Sequence, residues 1–445
     1  MGIFGTDGVR GKAGEKVNAV NALKLAMATG IYLKKHRKTN KILVGKDTRI
    51  SGYMIETAIV AGLTAVGYSV IQIGPFPTPA VSFIGTNMRC DASIMISASH
   101  NPYYDNGIKF FDSEGNKFPK EVEKEIEAIY NNEELLLAHQ ATGKNIGRNK
   151  RIDDVIGRYI VHLKNAFPQS LTLQGLRIVM DTANGAGYKV GPTIFEELGA
   201  EVKVLANEPN GYNINEACGA MHPEILANAV REYRADIGIA LDGDADRIVL
   251  VDENGDIING DKLMGALALY LQKKGELANN AFVTTIMSNL ALDDFLAKHG
   301  ITTYRSNVGD KNVAELMAKV GANFGGEESG HVIFSDYAKT GDGILSGLQA
   351  LAYIVSSGKK ASELFNPFEL YPQVKKNLKV EEKIPFEEIE GLDKLIQTIE
   401  ADNIRHLFRY SGTENKLRLL LEGDNKELLE KHMQSAVKFF NSALA

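Results

Sequence analysis

Short apolar runs that alternate with amphipathic helical patterns constrain the fold of this chain more than any other feature. Residues 41–45 predict a strand, and residues 54–66, with Ile55 and Ile59 on one face, predict a helix. A second strand is predicted at 68–73. Such alternation is typical of α/β layers. At 445 residues the chain is too long for one hydrophobic core, so several such domains are expected.

The alternating pattern continues to about residue 355 and then changes. The further strands are predicted at 92–96, 176–180, 237–241 and 282–285, and the further helices near 190–198, 290–298, 312–320 and 344–355. Residues 117–151 are charged and poor in apolar side chains, which predicts a surface helix followed by a linker. Beyond residues 366–372 the order strand, helix, strand, strand, helix predicts a smaller α+β unit with a final helix at 426–440.

Composition excludes several classes of protein. The net charge of −6 gives no footprint for nucleic acid, and two cysteines, Cys90 and Cys218, predict no disulfide framework. No apolar run is long enough to cross a bilayer and no signal peptide is evident, so a cytoplasmic protein without a membrane partner is expected. Residues 1–6 satisfy the loose myristoylation pattern, but their glycines also suit a loop that approaches an anion closely.

Three carboxylates at alternate positions form the strongest chemical signal. Asp242, Asp244 and Asp246 lie between two apolar runs, and carboxylates packed this closely favour a divalent cation. A calcium EF-hand loop is one alternative, since Glu253 falls at its last ligand position, but Arg247 stands where that loop needs glycine. A solvated acidic turn is the other alternative. A magnesium site with room for a phosphate oxygen is favoured over both.

A serine follows a predicted buried strand in a turn that Asn101 and Pro102 enforce. This residue, Ser99, is adjacent to His100 and near Lys109 in sequence. The ends of parallel strands are where α/β proteins place ligands, and a serine needs a base or a metal to act as a nucleophile. A structural turn capped by a serine is the alternative.

A basic loop near the C-terminus combines guanidinium groups, hydroxyls and a glycine. It spans residues 409–414 and is followed by Arg418. These groups can form a phosphate cradle, because arginine and closely approaching backbone amides both bind phosphate oxygens. A polar hairpin turn is an equal alternative.

Two glycine-containing loops remain. Residues 324–331 place two acids, a serine and a histidine between glycines, which suits sugar hydroxyls but also an exposed acidic turn. Residues 181–187 follow a predicted strand and open a helix, similar to a dinucleotide-binding turn. Gly191 comes one residue late for the third glycine, so a structural backbone turn is predicted there.

Taken together, these segments resemble the α-D-phosphohexomutase family in order along nearly the whole chain. The matching segments are 4–11, 97–102, 105–111, 242–247, 326–331 and 409–414. The resemblance implies three related mixed-sheet α/β domains and a C-terminal α+β domain similar to half of a TATA-binding protein. The implied limits are 1–150, 151–252, 253–366 and 367–445.

The resemblance also implies the roles of the site residues. Ser99 would carry the phosphoryl group, and Asp242, Asp244 and Asp246 would hold Mg²⁺ with a phosphoserine oxygen. The residues implied around the reacting phosphate are Arg10, His100, Lys109, Arg247 and His331. Glu327 and Ser329 would contact sugar hydroxyls. The residues implied to hold the other phosphate are Arg409, Ser411, Gly412, Thr413 and Arg418. Lys109, with a lowered pKa, is the expected base.

The implied activity is that of an isomerase that moves a phosphoryl group within a sugar phosphate through a 1,6-bisphosphate. The motifs are most similar to the glucosamine branch, so interconversion of glucosamine 6-phosphate and glucosamine 1-phosphate is expected, with glucosamine 1,6-bisphosphate as intermediate. This reaction would supply UDP-N-acetylglucosamine and the cell wall. A mannose or glucose phosphate mutase is the alternative, and a homodimer is an option.

Three departures from the family pattern bear on this expectation. Tyr410 and Asn415 stand where proline is expected at one or both positions, and Glu328 stands where glutamine or methionine is commoner, which leaves the preferred sugar open. Two other readings of the chemistry remain. One is a phosphatase with an aspartate nucleophile, and the other is a calcium-binding or sugar-phosphate-sensing protein without turnover.

Overall fold

The computed structural model describes residues 2–5, 7–36, 38–411 and 415–444. The chain divides into two compact units. The first comprises Met1–Ser288 and His299–Pro367, and the second comprises Asn289–Lys298 and Phe368–Ala445. The first unit contains three mixed sheets and the second contains one antiparallel sheet.

The first sheet has six strands in the order β1-β5-β4-β2-β3-β6. Its strands are β1 (Val9–Lys12), β2 (Lys41–Lys46), β3 (Ser69–Pro75), β4 (Ala92–Ile96), β5 (Asp105–Phe111) and β6 (Asn149–Arg151). The helices are α1 (Ala19–Leu33), α2 (Ser51–Ala65), α3 (Thr78–Asn87), α4 (Lys120–Tyr130) and α5 (Glu133–Ala138). β5 runs antiparallel to both neighbours, and the other pairs are parallel. The sequence did not predict β6, because its three residues are polar, exposed and paired only with β3.

The second sheet has four strands in the order β10-β9-β7-β8. Its elements are α6 (Ile156–Asn165), β7 (Arg177–Asp181), α7 (Val190–Glu197), β8 (Glu201–Leu205), α8 (Pro223–Tyr233), β9 (Ile237–Leu241) and β10 (Ile248–Asp252). β7 pairs in parallel with β8 and β9, while β10 is antiparallel to β9. All five residues of β9 are buried, which explains its uninterrupted apolar sequence.

The third sheet has the order β12-β11-β13-β14. The elements of this stretch of chain are α9 (Gly260–Lys274), β11 (Ala281–Thr285), α10 (Leu290–Lys298), β12 (Thr302–Ser306), α11 (Asp310–Val320), β13 (Phe324–Gly326), β14 (Val332–Phe334), α12 (Gly343–Ser357) and α13 (Ala361–Leu364). β14 is the antiparallel member. Short 3₁₀ turns occur at Gly143–Asn145, Gly219–Met221, Ala278–Asn280 and Phe386–Glu388.

The three sheets share one arrangement of four strands. The four strands, in chain order, are β2–β5 in the first sheet, β7–β10 in the second and β11–β14 in the third. Across each sheet they lie in the order second, first, third, fourth, and only the fourth of them is antiparallel to its neighbour among these four. The turn from third to fourth strand is therefore equivalent in the three sheets. It contains residues 97–104 in the first, 242–247 in the second and 327–331 in the third. The predicted trio of related α/β domains is confirmed, and three of the predicted site loops occupy one topological position.

The second unit contains a three-stranded antiparallel sheet in the order β15-β17-β16. Its elements after α10 are β15 (Gln373–Lys379), α14 (Leu392–Glu400), β16 (Arg405–Tyr410), β17 (Lys416–Glu422) and α15 (Lys426–Ala443). The predicted order of elements is confirmed. The contacts of α10 group it with this unit, while its expected membership of the third α/β domain stays a prediction. Asn289 exchanges hydrogen bonds of 2.9 and 3.0 Å with the backbone of Tyr371, which holds the start of α10 there.

None of the described helices combines the length and the apolar character that a membrane-spanning segment needs. The four domain limits deduced from the sequence stay a prediction.

Candidate active site

The serine turn brings Ser99 to the end of the buried strand β4. Ser99 is 1% exposed and has a φ of +53°, a left-handed conformation that is uncommon for a residue with a side chain. Its Oγ donates a hydrogen bond of 2.6 Å to Asp242 Oδ2 and lies 3.4 Å from His100 Nδ1. The hydroxyl therefore faces the acidic loop of the second sheet, which argues against a serine that only caps its own turn.

His100 is held in its neutral form. Burial, together with the nearby guanidinium groups of Arg247 and Arg10, lowers the pKa of its imidazole from 6.5 to about 4. The imidazole is therefore neutral near pH 7, and a pKa this low makes it a weak base.

The three aspartates between β9 and β10 form a cluster whose ligand oxygens all lie within 4.8 Å of one another. Asp242, Asp244 and Asp246 are 0%, 0% and 3% exposed, so the solvated acidic turn is wrong. The flanking elements are antiparallel strands, so the helix–loop–helix of an EF-hand is wrong as well. Burial, followed by the charges of Asp246 and Asp244, raises the pKa of Asp242 well above its usual value.

Two oxygens of this cluster, Asp244 Oδ1 and Asp246 Oδ1, are buried without a hydrogen-bond partner among the described residues. Unsatisfied buried carboxylate oxygens are costly, and a hard cation satisfies them. The donor set is all oxygen, as Mg²⁺ prefers. These residues therefore fit a divalent cation of that class.

Lys109 projects from β5 into the same cluster. Its Nζ lies 2.8 Å from Asp244 Oδ2, 3.2 Å from Asp246 Oδ2 and 3.7 Å from Asp7 Oδ2. Burial alone would lower the pKa of Lys109, but the three carboxylates outweigh burial and raise it. The expected lowered pKa is wrong for this arrangement, because acidic neighbours stabilise the ammonium form.

Two arginines supply positive charge beside the cluster. Arg10, on β1, donates to Asp7 Oδ2 at 2.9 Å, and the backbone amide of Arg247 donates to Asp242 Oδ1 at 3.2 Å. The Nε atoms of both arginines are buried without a hydrogen-bond partner in the described chain. Buried guanidinium donors that lack acceptors suit an anionic ligand such as phosphate.

His331 is held in its charged form. Its Nε2 lies 3.2 Å from Asp310 Oδ2 and 3.6 Å from Asp246 Oδ2. Burial would lower the pKa of this imidazole, but Asp310 and Asp246 outweigh it and raise the pKa to about 10. The two histidines of the site therefore differ in charge at neutral pH.

Three charged residues that were not predicted as site residues complete this network, namely Asp7, Lys117 and Asp310. Lys117 Nζ lies 2.7 Å from Asp7 Oδ1 and also pairs with Asp310 Oδ2, which links the chain after β5 to the start of α11. Asp7 lies inside the recognised segment 4–11 and could have been found there. Lys117 and Asp310 are 193 residues apart, and neither carries a local signal.

The sugar loop follows β13 at the equivalent turn of the third sheet. Glu327 is buried, and its Oε1 accepts a hydrogen bond of 2.9 Å from the backbone amide of Gly309. Ser329 is exposed. The burial of Glu327 is contrary to an exposed acidic turn, while the roles of both residues toward a sugar stay a prediction.

The glycine-containing turn at 181–187 has a structural function. The amide of Ala186 donates to the carbonyl of Gly243 at 2.8 Å, and a Cβ on Gly185 would lie 2.4 Å from that same oxygen. The turn thus supports the acidic loop at the backbone of Gly243. Position 185 requires glycine because the two backbones are in direct contact there. This agrees with the predicted structural turn.

The basic loop belongs to the second unit. Arg409 on β16 and Arg418 on β17 are directly opposed in the antiparallel pair, and Arg418 Nη2 lies 3.5 Å from Ser411 Oγ. Two guanidinium groups at facing positions of one strand pair can bind the oxygens of one anion. Gly412 and Thr413 lie outside the described residues.

Comparison with known proteins places the whole chain in one family. It matches the four domains described as phosphoglucomutase/phosphomannomutase alpha/beta/alpha domain I (1–136), domain II (157–255), domain III (259–371) and C-terminal domain (376–438). The chain belongs to the phosphoglucomutase/phosphomannomutase family. The members of this family are isomerases of the mutase type, and the expected fold and class of activity are confirmed.

Two family members named phosphoglucosamine mutase are similar over 100% of both chains. They come from Sulfurovum sp. (strain NBC37-1), at 66% identity, and Aliarcobacter butzleri (strain RM4018), at 63%.

Solved structures of the family share the fold. A phosphoglucomutase/phosphomannomutase family protein from Burkholderia thailandensis superimposes with a TM-score of 0.81 at 24% identity, over 99% of this chain and 97% of the other. The N-acetylphosphoglucosamine mutase of Aspergillus fumigatus, in complex with GlcNAc-6P and magnesium, gives a TM-score of 0.67 at 16% identity, over 99% and 96%.

Proposed function

We propose that the chain interconverts glucosamine 6-phosphate and glucosamine 1-phosphate, with Ser99 as the carrier of the phosphoryl group. The observation that carries this proposal is the hydrogen bond of 2.6 Å between Ser99 Oγ and Asp242, one member of the buried carboxylate cluster. It joins a potential nucleophile to a potential metal site in a chain whose full-length relatives are named for this reaction.

Phospho-Ser99 would start the cycle. The bond between phosphorus and Ser99 Oγ breaks as a bond from phosphorus to a sugar hydroxyl forms, which yields glucosamine 1,6-bisphosphate. After the bisphosphate turns over in the site, the bond from its other phosphorus to the sugar oxygen breaks as a bond to Ser99 Oγ forms, and the Ser99 hydroxyl proton passes to the sugar oxygen that leaves. Such transfers need mainly positioning and stabilisation of charge.

The side chains of the site divide this work by charge. Arg10, Arg247 and the imidazolium of His331 would stabilise negative charge on the moving phosphoryl group. His100 is proposed to accept the hydroxyl proton, because its Nδ1 lies 3.4 Å from Ser99 Oγ and is the ring nitrogen nearest the reacting oxygen. Lys109 then serves to balance the charges of Asp244 and Asp246.

Asp242, Asp244 and Asp246 would hold Mg²⁺, and Ser99 would contribute one oxygen. When bound, the cation would neutralise charge on the transferred phosphoryl group. The relative from A. fumigatus was solved with magnesium and GlcNAc-6P, which supports this choice of metal and substrate class.

Glu327 and Ser329 are proposed to contact the sugar, and Arg409, Ser411, Gly412, Thr413 and Arg418 to hold the phosphate that does not react. A cytoplasmic location and a homodimer belong to the same proposal. Cell fractionation and light scattering would test these last two points.

One assay separates the proposed reaction from its rivals. The protein is mixed with glucosamine 6-phosphate, Mg²⁺ and a trace of the 1,6-bisphosphate, and both glucosamine 1-phosphate and inorganic phosphate are measured. The proposal requires the sugar phosphate to form without release of inorganic phosphate. A phosphatase would release inorganic phosphate, and a binding protein would yield neither product.

A further inference from the structure

We propose that Arg49 and Asn215 are positioning residues that fix the backbone of Ser99 and so hold its hydroxyl against Asp242. The inference rests on the proposed function of Ser99 as phosphoryl carrier. It extends that function to two side chains outside the predicted site, one after β2 of the first sheet and one after β8 of the second.

Arg49 is completely buried, so water does not solvate its guanidinium group. It donates to the carbonyl oxygens of the serine turn instead. Its Nη2 lies 2.8 Å from the carbonyl oxygens of both Ser99 and Asn101, and its Nη1 donates to those of Pro102 and Asp105. A planar guanidinium group with five donors can hold several carbonyls at once, which lysine cannot do in the same geometry.

The amide side of Ser99 is held by the same segment. Asp47 Oδ2 accepts hydrogen bonds from Arg49 Nε at 2.8 Å and from Ser97 Oγ at 2.7 Å. Ser97 Oγ in turn accepts from the backbone amide of Ser99 at 2.9 Å. Both backbone polar groups of Ser99 are therefore connected to residues 47–49.

These contacts explain how Ser99 keeps its left-handed backbone. A φ of +53° is unfavourable for serine and persists only where the surroundings over-determine it. Such conformations cluster at functional sites, where they aim a side chain. The conformation of Ser99 directs its Oγ toward Asp242.

Asn215 holds the same carbonyl from the second α/β domain. Its side-chain Nδ2 donates to the carbonyl oxygens of Ser99 at 2.9 Å and Asn101 at 3.1 Å. The backbone N–H of Asn215 donates to the carbonyl oxygen of Ala183 at 2.9 Å. A Cβ on Gly243, inside the acidic loop, would lie 2.6 Å from the Ser99 carbonyl oxygen. The serine turn and the acidic loop therefore meet at this carbonyl, between Arg49 and Asn215.

Two variants test the proposal. Arg49→Lys keeps a cation beside Asp47 but loses the guanidinium N–H groups that donate to the carbonyl oxygens. Asn215→Ala removes the Nδ2 atom, which makes both hydrogen bonds from the second domain to the serine turn. The matched control is Gln349→Ala, which removes another buried amide whose Nε2 donates to a carbonyl, that of Ala166, at 2.7 Å.

The measurements are the melting temperature, kcat and KM, and the single-turnover rate at which phospho-Ser99 transfers its group to glucosamine 6-phosphate. We expect both test variants to lower kcat and the single-turnover rate about tenfold or more with little change in KM, since misplacement of a reacting group lowers the rate. Asn215→Ala and Gln349→Ala should lower the melting temperature similarly, but only Asn215→Ala should slow phosphoryl transfer.

The inference is overturned if both variants transfer the phosphoryl group within about twofold of wild type, which is too small a loss for a displaced nucleophile. If Arg49→Lys does not fold, Asn215→Ala decides alone. Wild-type protein that carries no phosphate on Ser99 and makes no product would show instead that the proposed function has failed, and the inference would fail with it.

Discussion

Ser99 Oγ donates a hydrogen bond of 2.6 Å to Asp242 Oδ2, although 143 residues separate the two in the chain. Ser99 follows β4 and Asp242 follows β9, and these are the equivalent third strands of two sheets with the same strand order. Carboxyl ends of parallel strands are where α/β sheets collect ligand-binding groups. The repeated topology therefore presents a hydroxyl from one domain to a carboxylate from the next.

Replacing Ser99 with alanine should abolish mutase turnover and leave the fold intact. The change removes one hydrogen bond, so the free energy of unfolding should change by about 1 kcal/mol. Glucosamine 1-phosphate formation and the melting temperature are the measurements. Near-normal turnover by the alanine variant would place the phosphoryl carrier elsewhere.

Asp244→Asn should weaken cation binding and turnover together. Asp244 is a buried member of the carboxylate cluster, and loss of one charged oxygen ligand should lower Mg²⁺ affinity at least about tenfold. Isothermal titration with Mg²⁺ measures affinity independently of activity. Asp256→Asn, an exposed aspartate beyond β10, is the control and should bind Mg²⁺ as wild type does. Equal affinity in the two variants would show that the cluster is not the metal site.

Much of the fold could be predicted because its central strands are fully buried. β4 and β9 have the predicted limits, since an uninterrupted apolar run has no other stable place than the interior of a sheet. The edge strand β6 could not be predicted, because polar residues at an edge carry no apolar signal. The contacts of α10 with the second unit include the hydrogen bonds between Asn289 and Tyr371, which no local pattern encodes.

The site shows the same limit on prediction. Its motif residues could be named because each lies in a short segment of characteristic residues, and the structure brings Ser99, Lys109 and the three aspartates together. The pKa of Lys109 was predicted in the wrong direction, because it depends on the distances to Asp244 and Asp246. Pairs such as Lys117 and Asp310 could not be predicted, since only the folded chain places them in contact.

The buried carboxyl of Asp342 should make stability depend on pH. It accepts hydrogen bonds from Tyr159 Oη at 2.5 Å and from the Leu345 amide at 2.9 Å, and burial raises its pKa from 3.8 to about 6. Between pH 3.8 and about 6 this carboxyl is protonated in the folded protein and ionised in the unfolded chain. The group therefore lowers the free energy of unfolding as pH rises from about 4 to 6.

Asp342→Asn cannot ionise and keeps an oxygen for the Leu345 amide. Its free energy of unfolding relative to wild type should therefore rise by up to about 3 kcal/mol between pH 4 and 6 and stay constant above. Denaturant unfolding of both proteins at several pH values measures this difference. A pH-independent difference for Asp342→Asn would contradict the raised pKa.

Glucosamine 6-phosphate should have a higher kcat/KM than glucose 6-phosphate or mannose 6-phosphate. Relatives at 66% and 63% identity are named for the glucosamine reaction, and an ammonium group at C2 would be favoured by a carboxylate such as Glu327. Steady-state kinetics with the three sugars measure this preference. Equal or better efficiency with mannose phosphate would assign the chain to a sister activity of the family.

Arg409→Ala should raise KM strongly and also reduce kcat. The proposed reaction would present first one end of the sugar and then the other to Ser99, so one phosphate would always be held away from the reaction. Arg409 and Arg418, opposed across β16 and β17, are suited to this because each guanidinium fork can bind two phosphate oxygens. Loss of one fork weakens the grip on both the substrate and the bisphosphate.

The control for Arg409→Ala is Lys376→Ala, which removes an exposed cation from β15 of the same sheet and should leave KM unchanged. Mass spectrometry should find Ser99 still phosphorylated in both variants, since Arg409 is not proposed to touch the phosphoserine. An unchanged KM in Arg409→Ala would identify the loop as a structural hairpin. The phosphate that does not react would then be bound by other residues, and Arg418→Ala would be expected to leave KM unchanged as well.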